Sequence, residues 1–375
     1  MHGTTFQRTT AAALIVPVVF GAGARESGRG PCTSHPAVSV PVLYAEAVTR
    51  ARAIVCDQLL PRIPGLQVAI GVNGTLVWSE GFGYADRERN IPVTNETQFR
   101  IGSVSKPLTA AGVALLYQQG KLDLDAPVQR YVPSFPGKGY PITTRQLAGH
   151  LSGMRNYRGD EPLLNRRFNR VLDGLALFER DSLLFPPGTR FGYSSPGWIL
   201  ISAVVEGASG QDFLGYMSRA VFAPLGMTHT APDRTDSVIP HRTHFYDADS
   251  AAGFVTAPAV DNSYKWASGG FLSSAEDLVK FGSALLEPGF LNAPSLDLLF
   301  TSQKTTAGEA TGYGVGWFVT TDGLGHRWVF HGGSSIGGTA VFGVDRDSRV
   351  VIAILSNLSD APLDPGRAIQ PLFDR

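Results

Sequence analysis

Two apolar runs near the start of the chain predict a β-hairpin. The runs at 66–72 and 75–79 are rich in Val, Leu and Ile, and Asn73-Gly74 separates them. Asn-Gly between β-rich runs favours a two-residue turn, because both turn residues must take a positive φ. We therefore expect an antiparallel strand pair at this point of the chain.

Further strands are predicted near the other end of the chain. The segment 312–319 has the β-like pattern GYGVGWFV, and two more apolar runs follow at 338–344 and 349–356. The polar turn 345–348 joins the last two runs. Strands that a tight turn joins are antiparallel, so this end of the chain is expected to contribute a second group of sheet strands.

The middle of the chain carries helical patterns instead. Apolar residues follow a helical spacing from Pro107 to Gln118 and from Trp198 to Glu206, and glycines follow each segment. Ser273, with Glu276 three residues later, has the pattern of a capping box that opens a third helix.

Strands at both ends and helices between them predict an α/β (α+β) architecture. The expected fold is an antiparallel sheet built from both chain ends and flanked by helices, with a mostly helical inserted domain. The sheet domain would comprise residues 25–95 and 255–375, and the helical domain residues 96–254. Since ligand sites favour domain interfaces, the active site is expected between the two.

Composition and charge exclude several classes of protein. The 375 residues are 43% hydrophobic, with 32 basic and 32 acidic side chains. This apolar content at zero net charge argues against a disordered chain. The sequence has no basic run that could displace counterions from a phosphate backbone, so no nucleic-acid partner is expected. Its apolar segments are too short for a stable membrane span.

The first 24 residues have the pattern of an export signal. Arg8 is their only charged residue, the apolar run 11–22 follows it, and Ala22-Gly23-Ala24 matches a cleavage site. We therefore predict a signal peptide at 1–24 and an exported protein, periplasmic or secreted. Export would permit a disulfide between Cys32 and Cys56, and the sequence leaves open whether it forms.

Ser103 and Lys106 form an S-x-x-K pattern at the start of the first predicted helix. Three residues apart on a helix, their side chains share a face and can meet. Serine is a weak nucleophile until a base takes its proton. A buried lysine can be that base once desolvation lowers its pKa from about 10.4 towards neutrality. Alone, the pattern is more often a solvated helix face.

More motifs follow in order along the chain, and they carry a family resemblance. They are Tyr193-Ser194-Ser195, the segment 224–230 and His331-Gly332-Gly333-Ser334. With the S-x-x-K, this set resembles the serine β-lactamase and penicillin-recognising hydrolase superfamily. Members of that superfamily share S-x-x-K, Y-x-N or Y-x-S, and a K-T-G or H-x-G on a strand.

The resemblance runs from about residue 54 to residue 358, nearly the whole chain after the predicted signal peptide. The segments 99–106, 121–133 and 142–157 are most similar to the mitochondrial serine β-lactamase-like branch of the superfamily. The fold that this implies is β-lactamase/transpeptidase-like.

The resemblance also implies a role for each motif residue. Ser103 would be acylated, with Lys106 as its proton acceptor. Tyr193 would share the acid and base work, its phenolate favoured by the nearby ammonium. The oxyanion hole would come from the backbone N–H groups of Ser103 and Ser334.

Three further residues are expected to contact the substrate. His331 would occupy the position that lysine holds in most β-lactamases, and its titration would make activity change between pH 5 and 8. Gly333 would let a substrate backbone approach the strand edge. Ser195 stands where asparagine is commonest, which leaves its part in substrate binding open. His150 and Ser152 are interpreted as structural.

Two rival site types fail on the sequence. Gly333-Ser334-Ser335-Ile336-Gly337 satisfies the G-x-S-x-G of α/β-hydrolases, but the last histidine, His331, precedes that serine. The His241/His244 pair has no convincing third metal ligand. No metal or cofactor is therefore predicted.

The sequence thus predicts a serine hydrolase that forms an acyl-enzyme on peptide-like amides, with a small molecule or peptide as substrate. A carboxylesterase or a weak β-lactamase of the same fold are alternatives. A non-catalytic binding or filament-forming scaffold is the alternative of another class, and an oligomer or filament stays open in either case. The presence of Ser103, Lys106 and Tyr193 together favours the enzyme.

Overall fold

The predicted hairpin is part of the main sheet in the computed structural model, which describes Cys32 and residues 34–321 and 325–374. Asn73 and Gly74 both have a positive φ, as the two-residue turn requires. The predicted signal peptide, 1–24, lies outside the described residues.

The described helices are α1 (Ala45–Ile54), α2 (Ser105–Gln118), α3 (Thr144–Ala148), α4 (Val171–Leu175), α5 (Ser195–Ser209), α6 (Phe213–Met217), α7 (Trp266–Gly269), α8 (Ala275–Leu286) and α9 (Ala293–Phe300). The described strands are β1 (Ser34–Pro36), β2 (Gly65–Val72), β3 (Thr75–Asp86), β4 (Ile91–Pro92), β5 (Phe99–Arg100), β6 (Ala231–Pro232), β7 (Tyr246–Asp249), β8 (Gly253–Thr256), β9 (Phe271–Ser273), β10 (Phe318–Thr321), β11 (Arg327–Ser335), β12 (Gly338–Asp345) and β13 (Val350–Ser356).

The main sheet joins the two ends of the described chain, as the sequence predicts. Its strand order is β1-β3-β2-β13-β12-β11-β10, and each neighbouring pair is antiparallel. The strands from the chain start therefore pair with those from the chain end through β2 and β13. Most of the helices come from the segment between β5 and β10. This arrangement confirms the predicted fold class.

The central strands are buried on both faces, because alternate residues enter two separate cores. Val68 and Ile70 of β2 pack in the same apolar cluster as Ala51 of α1. Ala69, between them, packs in the larger cluster that contains Leu278 of α8. The sheet thus has helical cover on each side, with side chains of one strand alternating between the two layers.

A disulfide joins Cys32 to Cys56 across a Cα–Cα distance of 5.7 Å. Cys56 lies in the turn that follows α1. The bond therefore ties the first described residue to the helical layer, and it answers the question that the sequence left open.

Two local predictions differ from the structure. The predicted strand 312–319 is a strand only from Phe318 onward, because Gly312 and Gly316 take left-handed backbone conformations that interrupt extended structure. The third helix begins one residue later than predicted. Ser274, rather than Ser273, is its N-cap and accepts a hydrogen bond from the Asp277 backbone N–H.

No helix within the described residues has both the length and the apolar character needed to cross a bilayer.

Candidate active site

Ser103 lies on a short 3₁₀ turn, Gly102–Val104, that leads directly into α2. Lys106, in the first turn of α2, has an exposed fraction of 0%. Its Nζ is 2.8 Å from Ser103 Oγ. The same nitrogen is 2.8 Å from the backbone carbonyl of Ser268 and 3.3 Å from Ser195 Oγ. The helix spacing therefore brings the predicted nucleophile and base into contact.

The surroundings of Lys106 favour its neutral form. Burial, reinforced by the positive charge of Lys265, holds the pKa of the Lys106 amine well below its ordinary value. A neutral amine has two N–H donors and one lone pair. The Ser268 carbonyl can only accept, so it takes one N–H. With Ser195 Oγ taking the other, the lone pair is left for the Ser103 hydroxyl.

Tyr193 completes the contacts of the Ser103 hydroxyl. Its phenol donates a hydrogen bond to Ser103 Oγ over 3.0 Å. Burial raises the pKa of the Tyr193 phenol well above its ordinary value. The expected phenolate is therefore a wrong prediction: Tyr193 is a neutral donor here, because desolvation outweighs the influence of nearby groups.

The segment that carries Tyr193 is held by the start of α5 and by His150. Ser194 caps α5 through a hydrogen bond from the Gly197 N–H, and its own N–H donates to His150 Nδ1 over 3.1 Å. The His150 ring packs 4.2 Å from that of Tyr193, centroid to centroid. Ser152 Oγ accepts from the Met154 backbone N–H in the adjoining turn. This geometry gives His150 and Ser152 the structural contacts expected of them.

The predicted oxyanion-hole residues lie on two segments in close contact. A Cβ added to Gly102 would lie 2.7 Å from the backbone nitrogen of Ser334. One added to Gly333 would lie 2.0 Å from the Ile101 carbonyl oxygen. Larger residues at these positions would push the serine turn away from β11. β10 pairs with β11 only as far as Phe330. The Gly332–Ser335 stretch of this edge is thus not covered by β10.

His331 is buried on β11, and both ring nitrogens are engaged. Nε2 lies 3.0 Å from the Tyr313 hydroxyl, and Nδ1 lies 2.6 Å from the Gly332 carbonyl oxygen. Burial, with a contribution from Lys106, lowers the pKa of His331 to about 3. The prediction that His331 titrates between pH 5 and 8 is therefore wrong, because the buried ring stays neutral throughout that range.

One cavity of about 490 Å³ brings most of the predicted residues together. Its lining includes Ser103, Tyr193, His331, Gly333 and Ser334. Lys106 lies behind Ser103 and is fully buried. Ser195 is buried as well, and its hydroxyl faces Lys106.

Sequence reasoning missed four residues around this site. Ser268 contacts Lys106, Lys265 acts on Lys106 through its charge, and Tyr313 is hydrogen-bonded to His331. Tyr157 is hydrogen-bonded to Ser268 Oγ over 3.2 Å and also to Ser195. None of the four belongs to a spaced motif, so only the fold reveals their positions. The nearest sequence signal was that Tyr157 ends the segment 142–157, which carries part of the resemblance.

A possible metal-binding group lies away from this cavity. His326, Asp345 and Asp374 offer ligand atoms within 4.8 Å of one another. Gln370 donates hydrogen bonds to both carboxylates, and His326 Nδ1 is 3.3 Å from Asp345 Oδ2. The group lies near the end of β11 opposite Gly333 and has no direct contact with Ser103 in the described structure.

Comparison with known proteins identifies the class to which this fold and site belong. The profile of the family described as Beta-lactamase matches residues 52–371. The chain therefore belongs to the β-lactamase family of hydrolases. The resemblance drawn from the sequence motifs is confirmed.

Several relatives are similar over most of the chain. Serine beta-lactamase-like protein LACTB, mitochondrial, from Homo sapiens is 35% identical, over 68% of this chain and 63% of the relative. Penicillin-binding protein 4* of Bacillus subtilis (strain 168) is 28% identical, over 76% and 68%. The octameric penicillin-binding protein homologue from Pyrococcus abyssi has a TM-score of 0.74 at 26% identity, over 86% of this chain and 75% of that one. The chain thus spans less than two thirds of the length of the human relative.

These relatives correct the predicted localisation. The human protein and its counterparts from Bos taurus and Mus musculus are all named as mitochondrial. The prediction of an exported protein is therefore wrong. It rested on the hydrophobic pattern of residues 1–24, and a short apolar N-terminal run is a weak basis for telling one targeting segment from another.

Proposed function

We propose that the chain is a serine hydrolase that acts through an acyl-enzyme on peptide-like amides. The observation that carries the proposal is the 2.8 Å contact between Lys106 Nζ and Ser103 Oγ at a fully buried lysine. Burial lowers the pKa of this amine and so favours the neutral form, which can accept the serine proton. Membership of a hydrolase family supports the same conclusion.

The reaction would begin when Lys106 takes the Ser103 proton as Oγ attacks the substrate carbonyl carbon. The oxygen of the tetrahedral intermediate would be bound by the backbone N–H groups of Ser103 and Ser334. The C–N or C–O bond then breaks, and the leaving group takes up the proton. Tyr193 is the nearest donor on the cavity side, since its hydroxyl is 3.0 Å from Ser103 Oγ. The protonated Lys106 then returns a proton to the Tyr193 phenolate.

Water would then complete the cycle. It attacks the acyl carbon, gives up a proton to the Lys106–Tyr193 pair, and releases the acid while Ser103 regains its hydrogen. Gly333 allows the substrate backbone to lie along β11, and Ser195 holds the Lys106 amine rather than the substrate.

Carboxylesterase and weak β-lactamase activity are the alternatives within the same fold, because both would use the same acyl-enzyme. A non-catalytic scaffold is the alternative of another class. The contacts among Ser103, Lys106 and Tyr193 favour an enzyme, since a scaffold has no need of a buried amine against a serine hydroxyl.

Covalent labelling tests the proposal. A fluorophosphonate probe should label the folded protein at Ser103, as read from the modified peptide. Labelling should be lost in Ser103→Ala and slowed by about tenfold or more in Lys106→Ala. The exposed Lys121→Ala variant is the matched control and should label like the parent. Folded protein that does not label at Ser103 would favour the scaffold.

Two organisational features are part of the same proposal. We place the reaction between a sheet domain of residues 25–95 and 255–375 and a helical domain of residues 96–254. Self-association is the second feature, because the Pyrococcus abyssi homologue is described as octameric. Light scattering during size-exclusion chromatography would measure the mass directly, and a monomer at micromolar concentration would contradict self-association.

A further inference from the structure

The cavity in front of Ser103 has an apolar wall. Phe318 and Phe330 stack with ring centroids 5.3 Å apart and an interplanar angle of 21°. Val341 and Leu363 continue the lining beyond them. Such a wall binds an apolar group because apolar surface is removed from water. It offers a charged group no partner to replace its lost hydration.

His331 has no hydrogen-bond donor left for a substrate. The Gly332 carbonyl oxygen can only accept, so Nδ1 carries the hydrogen of the neutral ring. Nε2 then presents its lone pair to the Tyr313 hydroxyl. The residue as a whole is 2% exposed. A lysine at this position would present an ammonium to a substrate carboxylate, and this imidazole presents none.

The other polar groups near Ser103 do not supply the positive charge that a lysine at position 331 would provide. The Ser334 hydroxyl donates to Asp360 Oδ1 over 2.9 Å, which places a carboxylate beside the opening of the cavity. Lys106 lies behind Ser103 and is engaged with Ser268 and Ser195. Among the described residues that line the cavity, Arg367 is the one lysine or arginine. It is exposed at the C-terminal wall and pairs with Asp364 at 3.4 Å.

We propose that this site takes esters and amides that are uncharged on both sides of the scissile bond, with an apolar group against Phe318 and Phe330. Substrates with a carboxylate next to that bond, which include peptides cleaved at a free C-terminus and penicillins, are disfavoured. A carboxylate there would lose its hydration without gaining a partner. The inference rests on the proposed hydrolase function and specifies its substrate class.

A matched pair of thioesters tests the inference. Both have the same N-benzoylglycyl acyl group, and their leaving groups are thioglycolate and thioglycolamide, which differ in one carboxylate. Thiol release is measured spectrophotometrically, and each kcat/KM is divided by the rate with hydroxide to remove intrinsic reactivity. We expect the amide thioester to be favoured at least about tenfold. His331→Lys, which adds a cation, should reduce that preference to about threefold or less.

Each outcome has a distinct meaning. Equal or better turnover of the thioglycolate, lost in Ser103→Ala, overturns the inference and leaves the hydrolase intact. If the preference for the thioglycolate thioester disappears in Arg367→Gln, the exposed arginine is the group that binds the carboxylate. An absence of Ser103-dependent turnover for both thioesters overturns the inference together with the proposed function. If His331→Lys does not fold, Arg367→Gln provides a second test. The preference for the thioglycolamide thioester should be unchanged in that variant.

Discussion

Arg100 Nε donates to Asp233 Oδ2 over 2.7 Å in the protein interior, where the two side chains are 6% and 1% exposed. Arg100 lies on β5, three residues before Ser103, and its guanidinium also donates to the Ile336 carbonyl oxygen over 2.8 Å. Ile336 lies in the turn between β11 and β12. The arginine of this buried ion pair thus links the strand before the serine turn to the hairpin that carries His331.

Breaking this ion pair should be costly. Asp233→Asn leaves the Arg100 charge buried without its partner, so we expect the free energy of unfolding to fall by about 3–5 kcal/mol. Asp236→Asn is the matched control, because Asp236 pairs with Arg234 at 2.9 Å with both side chains about 40% exposed. The loss in this control should be much smaller, because exposed ion pairs contribute little to stability. Urea unfolding measures both, and equally small losses would contradict the prediction.

Lys265 should destabilise the folded state at neutral pH. It is buried, and desolvation, the largest cause, lowers the pKa of its amine from 10.5 to about 8. A lowered amine pKa means that the folded state binds fewer protons than the unfolded state between pH 8 and 10.5. Stability should therefore rise with pH across that window, and the full cost applies below pH 8.

Removing the amine tests this linkage. Lys265→Met should raise the free energy of unfolding at pH 7 by up to about 3 kcal/mol, since one pKa unit corresponds to about 1.4 kcal/mol. The gain should shrink as the pH rises from 8 to 10.5. Chemical unfolding at several pH values measures it, with the exposed Lys121→Met variant as control. A gain that does not change with pH would point to packing instead of charge.

Much of the fold could be predicted from local patterns. The hairpin at Asn73-Gly74 was predictable because only a narrow set of residues takes its backbone angles. The 312–319 strand was not, because Gly312 and Gly316 are compatible with both extended and left-handed structure, and tertiary contacts decide between them. Likewise, Ser273 and Ser274 are adjacent candidates for one cap, and the pairing of β9 with β5 and β6 takes Ser273 into a strand.

The site divides in the same way. Ser103 and Lys106 were predictable because their contact follows from helical spacing. The ionisation states were not, since they depend on burial by distant segments. Tyr193 was expected as a phenolate and His331 as a titrating group, and desolvation reverses both expectations. Lys265 and Tyr157 could not be found, because neither belongs to a motif. Tyr157 is linked to Lys106 through Ser268 and Ser195, and Lys265 acts on Lys106 through its charge.

His331 should not control the pH dependence of activity between pH 5 and 8. The pKa of its buried ring is about 3, so the ring is neutral across this range. His331→Gln retains an amide that can pair with Tyr313 and Gly332, and its kcat/KM profile should have the same shape as that of the parent. Its absolute rate is free to differ. A parent inflection between pH 5 and 8 that disappears in the variant would contradict this prediction.

The ascending limb of the pH profile of kcat/KM should instead follow the ionisation of Lys106. The amine must be neutral to accept the Ser103 proton, so kcat/KM should rise with pH through the Lys106 pKa, which burial holds well below 10.5. The charge of Lys265 contributes to that lowering while Lys265 is protonated, below about pH 8. The neighbouring His150 and His331 have lowered pKa values and add no positive charge at neutral pH.

Removing the Lys265 charge should therefore shift the pH at which kcat/KM rises. In Lys265→Met the midpoint of the kcat/KM rise should shift to higher pH, because the like charge that disfavours a protonated Lys106 is gone. Lys265→Arg keeps a positive charge and should leave the midpoint where it is in the parent. A fluorophosphonate labelling rate measured against pH gives the same midpoint without a substrate. If the midpoint is the same in all three proteins, burial alone sets the basicity of Lys106.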